Sequence, residues 1–412
     1  MRYDIVIAGG GPAGCALAIA LAQQGITSCI IERGDYSGAR PGEMLQPASR
    51  PLLDRLNVAL RSGMAHHRPA YGVSSAWESD TLDHNDFFAG THGDGWLLDR
   101  PRFDAALADA ARDAGAEVLT NSQATPADFE CSVVVDATGL PAAEARRRGA
   151  RKIAYDQLTG VFTVLDASSS LSTGSDGFTV LEAVESGWWY SAFVGDDRIA
   201  VAFMTDADIV REQHLNDPDR WLAAFEATRH TRERASGVIM REPLHVRSAA
   251  SSILDRLSGE GWLAVGDAAS AWDPLSSSGI HKALGNAIDA ANAIASGSFD
   301  GYERSVRVAF DDYLVTRDRY YGLVQRWPAS LFWQRRHGAI TLDPMATLRT
   351  RDASRAAIER IDPRLRIEEI TDICAEPRRA HDIVSACAAR HGDATVIQAL
   401  QAMLREGVLA YL

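Results

Sequence analysis

The stretch that decides the fold is YDIVIAGGGPAG, residues 3–14. A short apolar run leads into three glycines spaced as GxGxxG, namely Gly9, Gly11 and Gly14, and these open a helix-compatible segment at residues 12–24. In this order, Gly9 permits a tight turn, Gly11 lets a phosphate approach the backbone, and Gly14 lets helix and strand pack closely. The helix N-terminus adds free N–H groups and a positive dipole. The stretch therefore predicts a turn that binds the pyrophosphate of a dinucleotide.

The residues that follow support this prediction. The next strand-like run, residues 28–31, ends at Glu32, and a carboxylate at this place in a dinucleotide-binding fold accepts hydrogen bonds from ribose hydroxyls. Short apolar runs and amphipathic helical segments then alternate up to about residue 140, which is the pattern of βαβ units in a parallel sheet. We therefore predict an α/β, Rossmann-like fold.

The pattern changes in the middle of the chain. Alternating strand-like segments at residues 160–165, 188–194 and 199–204 indicate an antiparallel sheet, and residues 261–265 return to a short buried strand of the first kind. The later residues are helical by spacing. We expect an α+β protein overall with three parts: a discontinuous nucleotide-binding domain at 1–150 and 252–300, an inserted antiparallel-sheet substrate domain at 151–251, and a helical C-terminal region at 301–412.

Composition argues against several other classes of protein. A formal net charge of −13 repels phosphate backbones, so we expect no nucleic acid partner. No stretch approaches the roughly 20 apolar residues that a membrane span needs, and no secretory signal is apparent, so we expect a cytoplasmic protein that does not contact membranes. The five cysteines form no CxxC pair, which argues against a disulfide framework and a metal site.

Three further segments resemble the FAD-dependent monooxygenases of the aromatic-hydroxylase type. They are LDRPRFDAAL at residues 98–107, VVVDATG at residues 133–139 and GWLAVGDAASAWDPLSSSGIHKAL at residues 261–284. The resemblance implies FAD as the cofactor. It places Arg100 near the ribityl chain and pyrophosphate, and Asp136 and Gly139 in a turn on the nucleotide side.

The third segment carries most of the resemblance. By similarity to the family, the Asp267 carboxylate takes a ribityl hydroxyl, and a helix that begins at Gly279 points its N-terminus at the flavin ring, where its dipole stabilises negative charge on reduced flavin. The cofactor-binding residues that we predict are Gly9, Gly11, Pro12, Ala13, Gly14, Glu32, Arg33, Arg40, Glu43, Arg100, Asp136, Gly139, Gly266, Asp267, Pro274, Ser278, Gly279 and Ile280.

Two details are similar to the tryptophan-halogenase-like branch: RPGEMLQP at residues 40–47 and DPLSSSGI at residues 273–280. Halogenases of this branch depend on a lysine in the N-terminal half, yet this sequence has no lysine before Lys152 and lacks the branch's WxWxIP element. The resemblance therefore favours oxygen transfer over halogenation. No second dinucleotide fingerprint is apparent, so the electron donor is left open between NADH, NADPH and an external reductant.

The aromatic motif GWWYS at residues 187–191, together with SSAWES at residues 74–79, resembles the subgroup that accompanies tryptophylquinone enzymes and oxidises a tryptophan within a partner polypeptide. The resemblance places Trp188, Trp189 and Tyr190 at the substrate, whereas the alternative is an ordinary sheet core.

His281, near the start of the predicted helix, is our candidate catalytic donor to the substrate; the alternative is a histidine on the helix surface. The sequence thus favours an FAD-dependent monooxygenase acting on an aromatic substrate, specifically a peptidyl tryptophan. Hydroxylation of a free small aromatic, a flavin-dependent reductase or dehydrogenase, and a non-enzymatic flavin-binding partner are the alternatives.

Overall fold

A computed structural model describes residues 2–38, 40–58, 67–166, 177–195, 197–235, 239–337, 342, 344–351, 358, 361, 365 and 367–412. Within these residues the strands are, in chain order, β1 (Ile5–Ala8), β2 (Ser28–Ile31), β3 (Met44–Leu45), β4 (Arg68–Ala70), β5 (Gly72–Ala76), β6 (Asp83–Asp86), β7 (Gly95–Leu97), β8 (Glu117–Leu119), β9 (Val133–Asp136), β10 (Lys152–Ala154), β11 (Leu158–Asp166), β12 (Phe178–Val184), β13 (Gly187–Phe193), β14 (Arg198–Asp206), β15 (His245–Ser248), β16 (Ser252–Leu254), β17 (Ser258–Gly259), β18 (Trp262–Ala264), β19 (Ser270–Ala271), β20 (Thr347–Thr350), β21 (Arg378–Arg379) and β22 (Leu409–Tyr411). The α-helices are α1 (Pro12–Ala22), α2 (Arg50–Arg55), α3 (Arg100–Asp113), α4 (Ala143–Arg147), α5 (Ala207–Glu212), α6 (Pro218–Glu226), α7 (Gly279–Ser296), α8 (Asp300–Gly322), α9 (Leu331–Arg336), α10 (Ile367–Ile373), α11 (Ala380–His391) and α12 (Asp393–Arg405).

The first sheet has the order β17-β18-β9-β1-β2-β8. Its strands pair in parallel except β17, which is antiparallel to β18. All four residues of β1 are buried, because a central parallel strand is covered by helices on both faces. Residues 13–21 of α1 are buried as well, since this helix lies between the sheet and α3 and α7. This is the Rossmann-like fold that the sequence predicts, and β18 returns the chain to it.

The second sheet has the order β15-β11-β14-β13-β12-β5-β6. Its strands are antiparallel neighbours except β12 and β5, which run parallel. The inserted antiparallel sheet is therefore present, but β5 and β6 join it from the segment that the sequence analysis assigned to the nucleotide-binding domain. Short strands rich in glycine, serine and aspartate gave no pattern from which this long-range pairing could be predicted.

The C-terminal region is mainly helical, as the sequence indicates. It also contains a small sheet in which β20 lies between β21 and β22, and it has a hydrophobic core of its own. Buried ion pairs join it to the second sheet: Arg335 and Arg336 of α9 bind Asp206 at 2.8 and 2.7 Å, and Arg335 also binds Asp208 at 2.7 Å. Among the described residues, no helix combines the length and apolar character needed to cross a bilayer.

Candidate functional site

The glycine turn between β1 and α1 has the shape that a pyrophosphate requires. Gly9 has a φ of +108°, and a Cβ there would lie 2.3 Å from the Ala137 carbonyl oxygen. A Cβ at Gly14 would lie 2.0 Å from the Gly9 oxygen, whereas one at Gly11 would meet no protein atom within 4 Å. The turn is thus packed tightly on the protein side and open at Gly11, beside the N-terminus of α1. This arrangement fits a bound phosphate group.

Glu32 stabilises the glycine turn through hydrogen bonds to its backbone. Its carboxylate, on a residue only 7% exposed, accepts hydrogen bonds from the backbone N–H groups of Gly10 at 2.8 Å and Gly34 at 2.9 Å, and from the Arg40 guanidinium at 3.4 Å. A carboxylate can accept about four hydrogen bonds, so capacity for one ribose hydroxyl is left. The contact with ribose stays a prediction. Arg33, the next residue, is exposed.

An arginine pair converges on one buried carboxylate. Asp104 of α3, fully buried, accepts from Arg100 Nε and Nη2 at 3.2 Å each and from Arg40 Nη1 at 3.0 Å. Arg100 also donates to the Pro41 carbonyl oxygen, which ties the 40–43 loop to α3. The sequence analysis did not identify Asp104; its position four residues after Arg100 on a helix is the signal that could have found it.

One continuous cavity runs from the glycine turn to the second sheet. The predicted residues that line it are Gly11, Pro12, Ala13, Glu43, Arg100, Gly139, Trp188, Tyr190, Asp267, Pro274, Gly279 and Ile280. Helix α7 begins at this cavity, with the positive end of its dipole toward the space beyond Gly279. The structure therefore brings together the motifs that the sequence analysis assigned to FAD, although they come from distant parts of the chain.

Several predicted cofactor residues support the cavity without lining it. Asp136 is buried and accepts hydrogen bonds from the backbone N–H groups of Thr138 at 2.9 Å and Ala145 at 2.8 Å, so it shapes the turn that ends at Gly139. Gly266 has a φ of +60°, and a Cβ there would lie 2.7 Å from the Ala13 Cβ. Ser278 donates to the Ser276 carbonyl oxygen at 3.2 Å. These residues act through the backbone around the site.

A lysine fixes the aspartate predicted to bind the ribityl chain. Lys282 of α7, with a side chain 4% exposed, donates to Asp267 Oδ1 at 2.7 Å, while the Asp267 side chain is 50% exposed. Lys282 also donates to the Ser270 carbonyl oxygen. Its ammonium group therefore binds Asp267 from the protein side. Lys282 is not among the described residues that line the cavity.

A second carboxylate meets the cavity at Asp273. Its Oδ2 accepts from the Tyr321 hydroxyl at 2.6 Å and its Oδ1 from the backbone N–H of Leu275 at 2.7 Å. Burial raises the pKa of Asp273 to about 6, although the Tyr321 hydrogen bond opposes this shift. Tyr321 in turn accepts from Trp188 Nε1 at 3.0 Å. A hydrogen-bonded chain therefore leads from the cavity wall to a carboxyl group that can change its protonation state near neutral pH.

The wall opposite the glycine turn is built by cross-strand neighbours on one face of the second sheet. Trp188 pairs with Met204 and Tyr190 with Ala202, while Phe162 of β11 pairs with Ala202 from the other side. All five line the cavity. The alternation of β11 and β14, which predicted the sheet, also contained the signal for these residues.

Trp189 points to the other face of the sheet, because successive side chains alternate. Its ring stacks on Phe203 at 4.6 Å and packs on Trp221 and Phe225 at 5.1 and 5.9 Å. The proposed substrate set of three aromatic residues is therefore reduced to Trp188 and Tyr190, and Trp189 is part of the hydrophobic core.

Glu43 and Tyr190 lie together at the cavity. Burial raises the pKa of the Glu43 carboxyl, while its own backbone and Arg100 lower it. Burial and the neighbouring Glu43 carboxylate both raise the pKa of Tyr190. Tyr190 therefore stays protonated and donates its hydroxyl proton to Glu43, which leaves the phenol oxygen as a hydrogen-bond acceptor.

His281, our catalytic candidate, faces away from this space. Its Nδ1 lies 3.3 Å from Ser49 Oγ, and burial lowers its pKa. It does not line the cavity. His281 follows Gly279 by two residues, and on a helix this spacing places the two residues on different faces. The prediction that His281 faces the flavin did not take this rotation into account.

Three features together define a flavoprotein oxidoreductase with FAD as its cofactor: the glycine turn, the α7 N-terminus and the cavity wall formed by Phe162, Trp188, Tyr190 and Met204. The FAD binding domain family matches residues 2–135. Over 360 residues the chain is 31% identical to the FAD-dependent oxidoreductase LodB of Marinomonas mediterranea, covering 81% of this chain and 97% of LodB. The protein belongs to this family of FAD-dependent oxidoreductases and is an enzyme.

Two solved structures have the same fold over nearly the whole chain. The flavin-dependent halogenase CmlS has a TM-score of 0.73 at 19% identity, covering 100% of this chain and 96% of CmlS. The peptidyl tryptophan dihydroxylase QhpG has a TM-score of 0.66 at 21% identity, covering 99% of this chain and 100% of QhpG. The protein therefore shares the fold of both of these enzymes.

Proposed function

We propose that the protein is a monooxygenase that hydroxylates an electron-rich aromatic ring, specifically a tryptophan side chain in a partner polypeptide during biogenesis of a tryptophylquinone cofactor. The observation that carries this proposal is the chamber walled by Phe162, Trp188, Tyr190 and Met204 at the end of the FAD cavity. An apolar, aromatic wall suits a flat aromatic ring and excludes water. The likeness to QhpG, a peptidyl tryptophan dihydroxylase essential for tryptophylquinone cofactor biogenesis, supports the choice of substrate.

The residues of this chain have three tasks in such a reaction, while bound FAD supplies the oxygen-activating chemistry. Phe162 and Met204 exclude water. Tyr190 donates its hydroxyl proton to Glu43, so its phenol oxygen accepts a hydrogen bond from the indole N–H of the substrate. Asp273 lines the cavity and has a pKa of about 6, so it accepts or returns a proton directly, while Tyr321 fixes its Oδ2.

The placement of the lysines supports oxygen transfer rather than halogenation. The whole sequence contains two, Lys152 and Lys282. Lys152 donates to the Leu140 carbonyl oxygen and Lys282 is paired with Asp267. Neither is among the residues that line the cavity, so the described wall offers no ammonium group to hold a hypohalous acid.

Labelled dioxygen tests the proposal. The enzyme is supplied with FAD, an external reductant and ¹⁸O₂, together with either a tryptophan-bearing protein or free indoles and phenols, with chloride and bromide present. We expect mass spectrometry to find the label on a tryptophan side chain of the protein substrate. Label on the free aromatics alone would move the substrate to small molecules. A halogen mass shift, or no label in any substrate, would overturn oxygenation.

Matched arginine variants test whether the cavity is the site. Arg100 lines the cavity, whereas Arg112 lies at the other end of the same helix with an exposed side chain. Arg100→Ala is expected to abolish label incorporation by weakening FAD binding, and Arg112→Ala is expected to retain the activity. Equal losses in both variants would show that the cavity does not hold the reacting groups.

A further inference from the structure

A line of indole rings leads from the cavity to the protein surface. Trp188 borders the cavity. Its ring centroid is 6.1 Å from that of Trp77, Trp77 is 5.5 Å from Trp333, and Trp333 is 6.0 Å from Trp327. Trp188 and Trp333 are fully buried, Trp77 is 7% exposed, and Trp327 is partly exposed. We call these four residues the tryptophan chain. It is unbroken from the cavity wall to solvent.

The four rings are contributed by separate elements. Trp77 follows β5, Trp188 is in β13, Trp333 is in α9, and Trp327 lies between α8 and α9. Three indole N–H groups are fixed by hydrogen bonds: Trp77 donates to the Tyr320 carbonyl oxygen at 2.8 Å, Trp188 to the Tyr321 hydroxyl at 3.0 Å and Trp333 to the Val184 carbonyl oxygen at 3.0 Å. These hydrogen bonds fix the orientations of the three rings, which lie in contact distance of one another.

Tyr321 lies at the centre of the chain and has a proton acceptor. Its ring is 5.9 Å from Trp77 and 6.0 Å from Trp333, and its hydroxyl donates to Asp273 Oδ2 at 2.6 Å. A phenol that loses an electron also loses its proton, so a hydrogen-bonded carboxylate makes its oxidation easier. Tyr321 can therefore share an oxidising equivalent with the indoles around it.

We propose that the tryptophan chain carries oxidising equivalents, by single-electron hops between adjacent rings, from the FAD cavity to the surface at Trp327. Indole is among the most easily oxidised side chains, and hopping needs neighbouring rings of similar potential at close distance. At each step one electron moves toward the cavity and the positive hole moves outward. The oxidant rests on the oxygen chemistry of the proposed function and is a hydroxyl-type radical formed in the cavity when no substrate is present. It takes one electron from Trp188 and one proton from water and leaves as water, and the hole at Trp327 is filled by one electron from a soluble reductant of the thiol or ascorbate class.

The two arginines beside the tryptophan chain are each paired with a carboxylate. Arg326 lies 4.2 Å from the Trp327 ring centroid, and a cation there would disfavour a hole, but Arg326 is paired with Asp80, which offsets its charge. Arg336, 5.1 Å from the Tyr321 ring, is likewise paired with Asp206. The hole therefore meets compensated charges at the centre and at the exit.

A second aromatic cluster offers a comparison within the same sheet. Trp189, Trp221, Phe203 and Phe225 pack together, but both tryptophans are buried and neither lines the cavity. This cluster has no exit to the surface, so it serves packing alone. Trp221→Phe is therefore a matched control for changes in the tryptophan chain.

Flash photolysis of the holoenzyme with oxidised FAD tests the proposal without substrate or turnover. The excited flavin takes an electron from Trp188, and the absorbance of the resulting tryptophan radical is followed in time. In the wild type we expect a long-lived component, because the hole moves away from the flavin, and ascorbate should shorten it by reducing Trp327. Trp77→Phe alone should leave part of the long-lived component, because Tyr321 also connects Trp188 with Trp333. The double variant Trp77→Phe/Tyr321→Phe should lose it, and Trp221→Phe should retain it.

Two variants break the chain at different places. Trp333→Phe should lose the long-lived component, because both Trp77 and Tyr321 lead to Trp333. Trp327→Phe should keep a longer-lived radical that ascorbate no longer removes quickly. Each variant is first shown to bind FAD and to have the circular dichroism spectrum of the wild type. A long-lived component that persists in Trp333→Phe, or one that is absent from the wild type, would overturn the proposal.

Discussion

Two substitutions in the glycine turn should separate the packing of the turn from its contact with FAD. At Gly14, a Cβ would lie 2.0 Å from the Gly9 carbonyl oxygen, so α1 or the turn would have to move by roughly 1.4 Å to reach ordinary contact, and overpacking of this kind costs about 1–3 kcal/mol or more. At Gly11, a Cβ would meet no protein atom within 4 Å, and the backbone φ of −75° suits alanine.

The expected results therefore differ between the two variants. Gly14→Ala should lower the free energy of unfolding of the apoprotein and also lose FAD binding. Gly11→Ala should change the unfolding free energy of the apoprotein by no more than about 1 kcal/mol, because the loss of flexibility in the unfolded chain offsets the weaker helix cap. If its methyl group meets the pyrophosphate, an overpacking cost of about 1–3 kcal/mol weakens FAD binding roughly 5- to 150-fold.

The measurements are urea denaturation of the FAD-free proteins and titration with FAD followed by flavin fluorescence. The wild type is the reference in both. Unchanged FAD affinity in Gly11→Ala would refute the placement of the cofactor against this turn. Equal destabilisation of the two apoproteins would refute the argument that only Gly14 is closed by protein atoms.

Three further outcomes are expected. Burial raises the pKa of Asp273 from its ordinary value of 3.8 to about 6 in the folded state, so the unfolding free energy of the wild type should fall as pH rises from about 4 to about 6 and stay lower above that. Asp273→Asn should remove this dependence, so that its unfolding free energy relative to the wild type is about 3 kcal/mol more favourable at pH 8 than at pH 4. Urea denaturation at those two pH values that gave the same difference between the two proteins would contradict it. Asp206→Ala removes the carboxylate partner of the buried Arg336, although Arg335 keeps Asp208, and should cost about 3–5 kcal/mol of unfolding free energy. Asp109→Ala, in an exposed pair, should cost less than about 1 kcal/mol; similar losses in the two variants would contradict a buried network. Trp189→Phe should lower the unfolding free energy by about 1–3 kcal/mol and leave the visible spectrum of bound FAD unchanged. Trp188→Phe should shift that spectrum. The reverse result would mean that the cavity lies on the face of the sheet that carries Trp189.

The sequence was informative wherever function depends on local backbone shape. Gly9, Gly11 and Gly14 mark the turn because neighbours in sequence are also neighbours in space, and the strand at 28–31 has the same bounds in the structure as in the prediction. The start of the helix at Gly279 was predictable for the same reason. A glycine-rich turn between a buried strand and a helix needs no distant partner to specify it.

Elements that depend on distant partners were missed. Strand β6 is exposed along its length and is recognisable only by its pairing with β5. Strand β20 acquires its structure from β21 and β22, which lie far along the chain. Tyr321 is equally hidden, because it gains its role from Asp273 on another element. The pairing of Arg40 with Asp104 is hidden for the same reason, although the pairing of Asp104 with Arg100 is local.

The chamber wall shows why a motif alone cannot identify the substrate residues. GWWYS places two tryptophans side by side, and strand periodicity requires that they face opposite ways. Which one meets the cavity is decided by the register of β13 against β14, in which Trp188 lies opposite Met204. A slip of one residue would exchange Trp188 with Trp189 at the cavity and would also remove the first ring of the tryptophan chain. Both the proposed substrate chamber and the proposed route for oxidising equivalents therefore depend on the same pairing.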